Sequence, residues 1–302
     1  MDKPFPFFFG TNGSGTTLHR AIFDSHPELA IPGEARFVVK LAQRHRAAEG
    51  GPLDTGRLVA DLSKDSRFKN WGFTSDDVRT ALAERPADFP DAIRRLYALY
   101  AAKQGKSRYG DKTQANIHHL PLIAELFPEA RFVHAVRDGR DVALAHTDGT
   151  RIEELAISWK RRVGEAREAG RALGPGRYLE SHFEDLVDDT ETAVRRICEF
   201  IELDFDPAML TYYERADAIV STTAVPDRHK DIFLPPTKGL RDWRRELDDG
   251  QIARFEALAG DLLSEMGYER KFARSPFTHT VSAWGRLGVY GARYMARRFR
   301  RG

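Results

Sequence analysis

A segment near the start of the chain is rich in glycine and hydroxyl side chains, a composition that suits the binding of phosphate. Residues 10–17 contain three glycines and four hydroxyl-bearing residues, and they directly follow the apolar residues 5–9. The aromatic run predicts a buried strand, and the spacing after the glycines predicts a helix that ends before Pro27. Glycines let backbone N–H groups approach an anion, and a helix N-terminus favours negative charge. Strand, loop and helix in this order therefore predict a phosphate-binding site.

One position in this loop distinguishes nucleotide kinases from other phosphate-binding proteins. The spacing from Gly10 to Gly15 matches G-x-x-x-x-G-K-[ST], but Thr16 stands where that pattern has its lysine. A kinase or ATPase uses the lysine to reach the β- and γ-phosphates of ATP. The loop therefore favours a ligand whose transferred group is not a γ-phosphate. A small-molecule kinase that requires Mg²⁺ is kept as an alternative.

The elements around the loop predict the fold that must position these residues. After residues 5–9, strand-like segments recur at 107–112, 131–137 and 177–180. Helical spacing fills the intervals between them. We therefore predict an α/β fold with a P-loop-type central parallel sheet flanked by helices. A set of short helices at about 37–105 forms an insertion after the first strand and helix, which either covers an acceptor site or is a purely structural lid.

Arg137 stands at the carboxyl end of the predicted strand 131–137. Ligands of open α/β sheets bind at this end of the strands, so the position suits a residue that contacts a bound anion. A surface salt bridge between Arg137 and Asp138 or Asp141 is the structural alternative.

Three neighbouring motifs resemble one enzyme family. The sequence S-G-T-T at residues 14–17, H-P at 26–27 and G-E-A-R at 33–36 resemble the sulfotransferases that use 3′-phosphoadenosine 5′-phosphosulfate (PAPS), especially the tyrosylprotein sulfotransferases and their bacterial relatives. The resemblance implies PAPS as co-substrate and no metal. It also implies that Glu34 accepts the proton of a hydroxyl acceptor and that Arg36 binds this acceptor. The implied contacts to the 5′-phosphosulfate come from Gly13, Ser14, Gly15, Thr16 and Thr17.

Two later motifs extend the resemblance to the phosphate groups of the nucleotide. The sequence V-R-D-G-R-D-V resembles the family's 3′-phosphate motif, with Arg137 as the phosphate-binding arginine. The sequence D-K-T at 111–113 resembles an element whose lysine contacts the leaving group. Lys112 would therefore stabilise the negative charge that develops on the departing phosphate.

The resemblance continues to about residue 245 in segments that would surround the nucleotide. The sequence F-E-D-L resembles the family's Y-E-D-L element, which implies that the ring of Phe183 lies against adenine. The long basic stretch 226–243 resembles a segment that closes over the nucleotide, and it implies that Lys238 and Arg241 contact phosphate.

Two positions depart from the family pattern. Relatives have an arginine or lysine before S-G-T-T, where this chain has Gly13, and a serine where it has Ala145; the nearby Thr147 points in another direction on a helix. Losing a preorganised cation costs on the order of a hundredfold in rate. Three outcomes are therefore open: another cation such as Arg20 substitutes, catalysis is slow, or the chain is a P-loop nucleotide-binding protein without catalytic activity.

Composition restricts the compartment and the partners. The single cysteine, Cys198, excludes a disulfide framework and fits a reducing compartment. We see no charged-then-apolar leader before the first strand and no apolar run near the roughly 18 residues that a spanning helix needs. We therefore expect a cytoplasmic protein. Nucleic acid is not expected as a partner, because no aromatic-rich basic platform accompanies the basic residues.

Charge is distributed unevenly along the chain. Residues 270–302 contain nine Lys or Arg and no Asp or Glu, so the preceding residues carry a net charge of about −7. We divide the chain into a sulfotransferase-like domain at 1–270 and a basic amphipathic tail at 271–302. This tail either lies on an anionic membrane surface or packs as a solvated helix on the acidic body. The acceptor hydroxyl belongs to a sugar, a lipid-linked group or a tyrosine, and the tail slightly favours a membrane-proximal acceptor.

Overall fold

A computed structural model describes residues 3–45, 53–84, 86–146, 149–215, 232–239 and 241–272. Its main sheet contains β1 (Phe5–Gly10), β4 (Asp111–Lys112), β5 (Ala130–Val136) and β6 (Tyr178–His182). The strand order is β4-β1-β5-β6, and every neighbouring pair is parallel. Helices cover both faces of this sheet. The prediction of an α/β fold with a central parallel sheet is therefore confirmed.

The aromatic strand β1 is buried along its whole length between β4 and β5. Because successive side chains of a strand point to opposite faces, this strand contributes to two cores. Phe5 and Phe7 belong to one apolar cluster. Phe8 belongs to the other, where its ring centroid lies 4.9 Å from that of Phe23 in helix α1 (Thr16–Asp24). The glycine-rich loop therefore begins at the end of a fully buried strand.

A second, two-stranded sheet pairs β2 (Leu29–Ala30) with β3 (Arg108–Tyr109) in parallel. The sequence predicted one strand-like piece at 107–112, but the structure divides it between the two sheets. The amide of Gly110 still donates to the Ala30 carbonyl, and the chain then pairs with β1 instead. This change of partner places Lys112 beside the centre of β1, near the loop.

In its described residues, the predicted insertion contains five helices that share a core with the main sheet. The Trp71 ring centroid lies 4.8 Å from that of Tyr97, which in turn lies 4.9 Å from Phe5 of β1. These rings are buried and belong to one continuous apolar cluster. The insertion is therefore an integral part of the fold. Its helices are α2 (Arg36–His45), α3 (Thr55–Lys64), α4 (Ser66–Lys69), α5 (Ser75–Ala81) and α6 (Phe89–Lys103).

The remaining helices complete the layers around the sheet. They are α7 (Leu120–Leu126), α8 (Gly139–Leu144), α9 (Ile152–Ala172), α10 (Phe183–Asp188), α11 (Thr190–Phe200), α12 (Trp243–Glu246) and α13 (Asp249–Glu265). Short 3₁₀ turns occur at Gln114–His118, Pro207–Met209 and Tyr212–Arg215. Among the helices in the described ranges, we find none with both the length and the apolar character needed to span a bilayer.

Some predictions from the sequence lie outside the described residues. They concern Thr147, the residues of the basic stretch that precede residue 232, and the tail from residue 273 onward. The domain boundary at 270 and the amphipathic tail therefore stay predictions.

Candidate active site

The loop between β1 and α1 turns through two glycines in conformations that other residues rarely adopt. Gly13 has a φ of 89° and Gly15 a φ of 90°. Gly15 caps α1, and its carbonyl accepts the amide hydrogen of His19 at 3.1 Å. The amides of Thr16 and Thr17 precede this first helical hydrogen bond, so the helix offers them no acceptor of its own. The positive end of the helix dipole therefore faces the space in front of the loop.

Ser14 supports the loop from inside. Its side chain is fully buried, and both its amide and its hydroxyl donate to the Thr11 carbonyl, at 3.1 and 2.8 Å. This side chain therefore fixes the geometry of the loop.

His19 attaches the loop to the sheet, a role that the sequence did not reveal. Its Nδ1 atom lies 3.0 Å from the Gly15 carbonyl oxygen and its Nε2 atom 2.8 Å from Ser181 Oγ in β6. Burial lowers the pKa of His19 to about 4, although the hydrogen bond to Gly15 opposes the shift. A carbonyl only accepts, so the neutral ring donates from Nδ1 and accepts the Ser181 hydroxyl at Nε2.

An open cleft lies in front of the loop. The walls come from the loop, the end of β5, the start of α10 and the segment 232–241. The cleft thus brings together most of the residues predicted to bind the nucleotide: Gly13, Gly15, Thr16, Thr17, Arg137, Phe183 and Arg241.

The ring of Phe183 packs between the loop and Arg137. A Cβ atom built on Gly15 would lie 2.5 Å from Cδ2 of this ring, so only glycine allows the contact. The guanidinium carbon of Arg137 lies 4.2 Å from the ring centroid, within the range of a cation–π interaction. The aromatic ring therefore touches both predicted phosphate-binding elements.

Arg137 is fixed by two acceptors at the carboxyl end of β5. Its Nη2 atom lies 3.4 Å from Asp141 Oδ2 and 3.2 Å from the Arg241 carbonyl oxygen. Asp141 also accepts the amide hydrogen of Trp243 at 2.8 Å. Burial raises the pKa of Asp141 to about 6, against the opposing effects of Arg137 and the Trp243 amide. The salt bridge that the sequence offered as an alternative is present, and Arg137 also lines the cleft.

Arg140, in the same motif, is completely buried behind the cleft. Its guanidinium donates to Asp138 at 2.7 and 3.0 Å and to Glu256 at 2.6 Å. It also stacks on Trp243, with 3.6 Å between the guanidinium carbon and the ring centroid. Arg140 therefore joins α8, α12 and α13 and supports the position of Arg137 from behind.

Glu34 does not line the cleft, and it has donors on both carboxylate oxygens. Oε2 accepts from Arg36 Nε at 3.0 Å and from Arg67 Nη1 at 3.1 Å. Oε1 lies 3.5 Å from Lys112 Nζ and 3.4 Å from the amide nitrogen of Gln114. Burial opposes ionisation, but the cations of Lys112, Arg36 and Arg67 outweigh it and hold the pKa of Glu34 below its ordinary value. The side chain is therefore a carboxylate at neutral pH.

A buried network fixes the backbone on both sides of this carboxylate. Thr113 Oγ1 accepts the amide hydrogen of Ala35 at 2.8 Å and donates to Asp111 Oδ2 at 2.9 Å. Asp111 also accepts from Tyr97 at 2.7 Å and from Asn116 at 2.8 Å. Burial raises the pKa of Asp111 to about 6, although the bonds from Tyr97 and Thr113 oppose this shift. The network ties the segment of Glu34 to β4.

Gln114 lines the cleft and contacts both Glu34 and the loop. Its backbone amide approaches Glu34, and its side-chain Nε2 atom lies 3.4 Å from the Thr11 carbonyl oxygen of the loop. The adjacent Lys112 is buried, and burial lowers its pKa although the charge of Glu34 opposes the shift. The carboxylate, the lysine and the loop therefore share one edge of the sheet.

Three further residues considered in the sequence have clear positions. The Nε atom of Arg20 donates to the Ile31 carbonyl at 3.0 Å, and its charge contributes to the lowered pKa of Lys112. Lys238 is 65% exposed and pairs with Asp188 at 2.8 Å. Ala145 lies against the loop, since a Cβ atom on Gly13 would be 2.7 Å from its Cβ. The two departures from the family pattern are therefore in contact.

The sequence missed contributors from distant segments. Arg67 belongs to the insertion, and no motif connects it with Glu34. Gln114 directly follows the D-K-T motif. This closeness to Lys112 in the sequence was the one available indication that Gln114 belongs to the site. Arg140 lies inside a recognised motif, but its burial against Glu256 depends on the last described helix.

Comparisons with known proteins agree with this architecture. A family model described as "Sulfotransferase family" matches residues 4–207. The chain is 24% identical over 300 residues to the protein-tyrosine sulfotransferase of Drosophila melanogaster, covering 94% of this chain. It spans 55% of the fly protein, about half the length of that curated relative.

Solved structures share the fold at low identity. The sulfotransferase domain of the Synechococcus PCC 7002 olefin synthase matches with a TM-score of 0.55 and 22% identity, over 89% of this chain and 97% of that domain. The mouse sulfotransferase SULT7A1, complexed with PAP, matches with a TM-score of 0.51 and 14% identity, over 88% and 90% of the two chains. At such identities these structures support the fold alone. Because the family model covers more than half of the 302 residues, this chain belongs to the sulfotransferase family.

Proposed function

We propose that the protein transfers a sulfuryl group from PAPS to a hydroxyl acceptor and releases 3′-phosphoadenosine 5′-phosphate (PAP). PAPS supplies the sulfuryl group; the acceptor oxygen forms a bond to sulfur while the bond from sulfur to the phosphate oxygen breaks. The proton of the acceptor hydroxyl passes to Glu34. One observation carries this proposal: Gln114 contacts both the glycine-rich loop, at the Thr11 carbonyl, and Glu34, which pairs with Lys112.

The residues of the cleft fit a nucleotide with two phosphate ends. The Nε atom of Arg137 is buried without a hydrogen-bond partner among the described residues, so a phosphate oxygen at this point would satisfy it. The amides of Thr16 and Thr17 would hold the sulfated 5′ end, as helix N-termini hold anions. The mouse protein with the same fold is a complex with PAP, which supports a ligand of this class.

The residues near Glu34 fit the chemistry of transfer. Its lowered pKa keeps Glu34 ionised at neutral pH, which a proton acceptor requires. The ammonium of Lys112, 3.5 Å from this carboxylate, would offset the charge that develops on the departing phosphate. Arg36 is about half exposed, with 47% of its side chain accessible, so it remains open to an acceptor. We propose a sugar, lipid-linked or tyrosine hydroxyl as that acceptor.

A second candidate is a protein that binds PAPS or PAP without transfer. The contact between Gly13 and Ala145 favours it, because both positions lack the side chains that relatives use. An arginine at position 13 would have to adopt a positive φ and displace Ala145. Glu34 argues against this candidate, since binding alone requires no proton acceptor.

Calorimetry with PAPS and PAP tests whether the protein binds these nucleotides, as both candidate functions require. We expect micromolar dissociation constants for both ligands, corresponding to about −8 kcal/mol. Arg137→Ala should weaken binding by roughly ten- to a hundredfold, because a charged hydrogen bond contributes about 1.5–3 kcal/mol. The control is Arg171→Ala, which removes an exposed arginine paired with Glu265 and should bind like wild type.

Two outcomes would count against the proposal. Binding of ATP–Mg²⁺ but of neither PAPS nor PAP would support a kinase instead. If the nucleotides bind, PAP release is measured with sugar, lipid-linked and tyrosine acceptors, and Glu34→Gln should lower transfer by about 10²–10⁴-fold while it retains binding. Binding without transfer to any acceptor would support the second candidate.

A further inference from the structure

We infer that Arg67, from the helical insertion, is a positioning residue for Glu34. Together with Arg36 it anchors one carboxylate oxygen, Oε2, and thereby presents the other, Oε1, as the proton acceptor. This inference rests on the sulfotransferase function proposed above.

The two oxygens of Glu34 have different surroundings. Oε2 accepts two short, charge-assisted hydrogen bonds, from Arg36 at 3.0 Å and from Arg67 at 3.1 Å. Among the described residues, Oε1 has longer contacts, 3.5 Å to Lys112 Nζ and 3.4 Å to the Gln114 amide. A base needs an oxygen that is held in place and whose lone pair the proton can reach. Oε1 meets this requirement better than Oε2, because its two contacts are longer and weaker while the arginines hold the carboxylate through Oε2.

The insertion holds Arg67 firmly at this position. Asp65 caps α4 by accepting the amide hydrogens of Arg67 at 2.9 Å and Phe68 at 3.3 Å. Phe68 packs on Phe37 with 5.3 Å between their ring centroids. Trp71 Nε1 then donates to the Gly33 carbonyl at 3.0 Å, next to Glu34 itself. The short helix is therefore fastened directly to the segment that carries the base.

Charged groups approach Glu34 from three sides. Arg36 comes from α2, Arg67 from α4 and Lys112 from β4. Asp111 of β4 is the nearby negative group, and Arg20 of α1 adds positive charge beside Lys112. Only 41% of the Arg67 side chain is exposed, so solvent weakens its effect without removing it. Loss of this cation should make the carboxylate easier to protonate.

The titration of Glu34 tests the inference without an acceptor. In the 302-residue chain labelled with ¹³C in glutamate side chains, Glu34→Gln identifies the signal of the Glu34 carboxyl. We expect Arg67→Ala to shift the titration midpoint of Glu34 upward. Arg67→Lys, which keeps the charge, should shift it less. Arg79→Ala is the control, because it removes an exposed arginine of the same insertion that pairs with Asp76.

The same variants separate this inference from the proposed function. Calorimetry with PAP should give equal affinity, within about twofold, for wild type and Arg67→Ala. An unchanged Glu34 midpoint in Arg67→Ala would overturn the role of Arg67 even if PAP binds. Absence of PAP binding in wild type would instead overturn the proposed function. If Arg67→Ala does not fold, Arg67→Gln replaces it, because this variant keeps an extended polar side chain without the charge. The titration midpoint of Glu34 in Arg67→Gln should then also shift upward.

Discussion

Single residues around the loop are held in definite charge states by their neighbours. Burial lowers the pKa of His19 to about 4, so this ring stays neutral and connects Gly15 with Ser181. Glu34 keeps its charge despite burial because cations surround it. The neutral His19 thus supports the loop, whereas the neighbouring Glu34 is charged. Because His19 is neutral, it adds no charge of its own at the positive end of α1, which favours an anionic ligand.

Gly15 should not tolerate a side chain. A Cβ atom there would lie 2.5 Å from the Phe183 ring, and the φ of 90° is unfavourable for alanine. We expect Gly15→Ala to displace Phe183, weaken PAP binding by about tenfold or more, and destabilise the fold by about 1–3 kcal/mol. Calorimetry with PAP and urea unfolding measure the two effects.

The control for this substitution is Gly164→Ala in α9. A Cβ atom at Gly164 meets no described atom within 4 Å. Alanine should therefore leave PAP binding unchanged and stabilise the helix by up to about 1 kcal/mol. Equal PAP affinity of Gly15→Ala and wild type would contradict the proposed role of the loop.

At the scale of elements, two short helices hold the end of β5. Asp141 of α8 receives the amide hydrogen of Trp243 at the start of α12 and also contacts Arg137. Arg140 lies behind them and stacks on the same tryptophan. Because α12 directly follows the segment that lines the cleft, these contacts connect the cleft wall to the proposed phosphate-binding arginine.

Asp141 should make stability depend on pH in a defined direction. Burial raises its pKa from 3.8 to about 6. Between about pH 4 and 6 the folded protein therefore binds a proton that the unfolded chain has released, so this group lowers stability as the pH rises. Asp141→Asn removes this contribution. We expect the variant to lose stability more steeply than wild type as the pH falls from 6 to 4.

Urea unfolding of both proteins at several pH values between 4 and 6 gives the required free energies of unfolding. Parallel pH dependence in wild type and Asp141→Asn would contradict the raised pKa of this carboxyl group.

At the scale of the whole molecule, the C-terminal residues and the rest of the chain carry opposite net charge. Residues 270–302 carry nine positive side chains, and the rest of the chain has a net charge of about −7. A basic amphipathic segment binds anionic lipid through both charge and apolar area. We propose on this basis that the protein associates with anionic membranes, where a lipid-linked acceptor would be available.

Sedimentation with lipid vesicles tests this proposal. The 302-residue chain should bind vesicles that contain phosphatidylserine, bind neutral vesicles weakly, and dissociate as salt is added, because each basic residue contributes about 1 kcal/mol near the surface. Replacing Arg297, Arg298, Arg300 and Arg301 with alanine should reduce binding. Absence of binding to the anionic vesicles would instead favour a solvated basic helix on the acidic body.

Local residue order was sufficient to predict the parallel sheet and the family. A buried strand, a glycine turn and a helix N-terminus are encoded by adjacent residues, and Gly10 to Thr17 are therefore informative without any distant contact. The same holds for Arg137, whose position at the end of a strand follows from the apolar run before it. The division of residues 107–112 between two sheets was not predictable, because it depends on which strands are available as partners.

The partners of the charged groups were decided only by the folded chain. Arg67 reaches Glu34 across 33 positions, His19 reaches Ser181 across 162, and Arg140 reaches Glu256 across 116. No local pattern encodes such pairs, because each distance depends on the packing of all the elements between them. The residue types and motifs of the sequence thus pointed to Glu34, Lys112 and Arg137, and tertiary packing determined which groups contact each oxygen of Glu34.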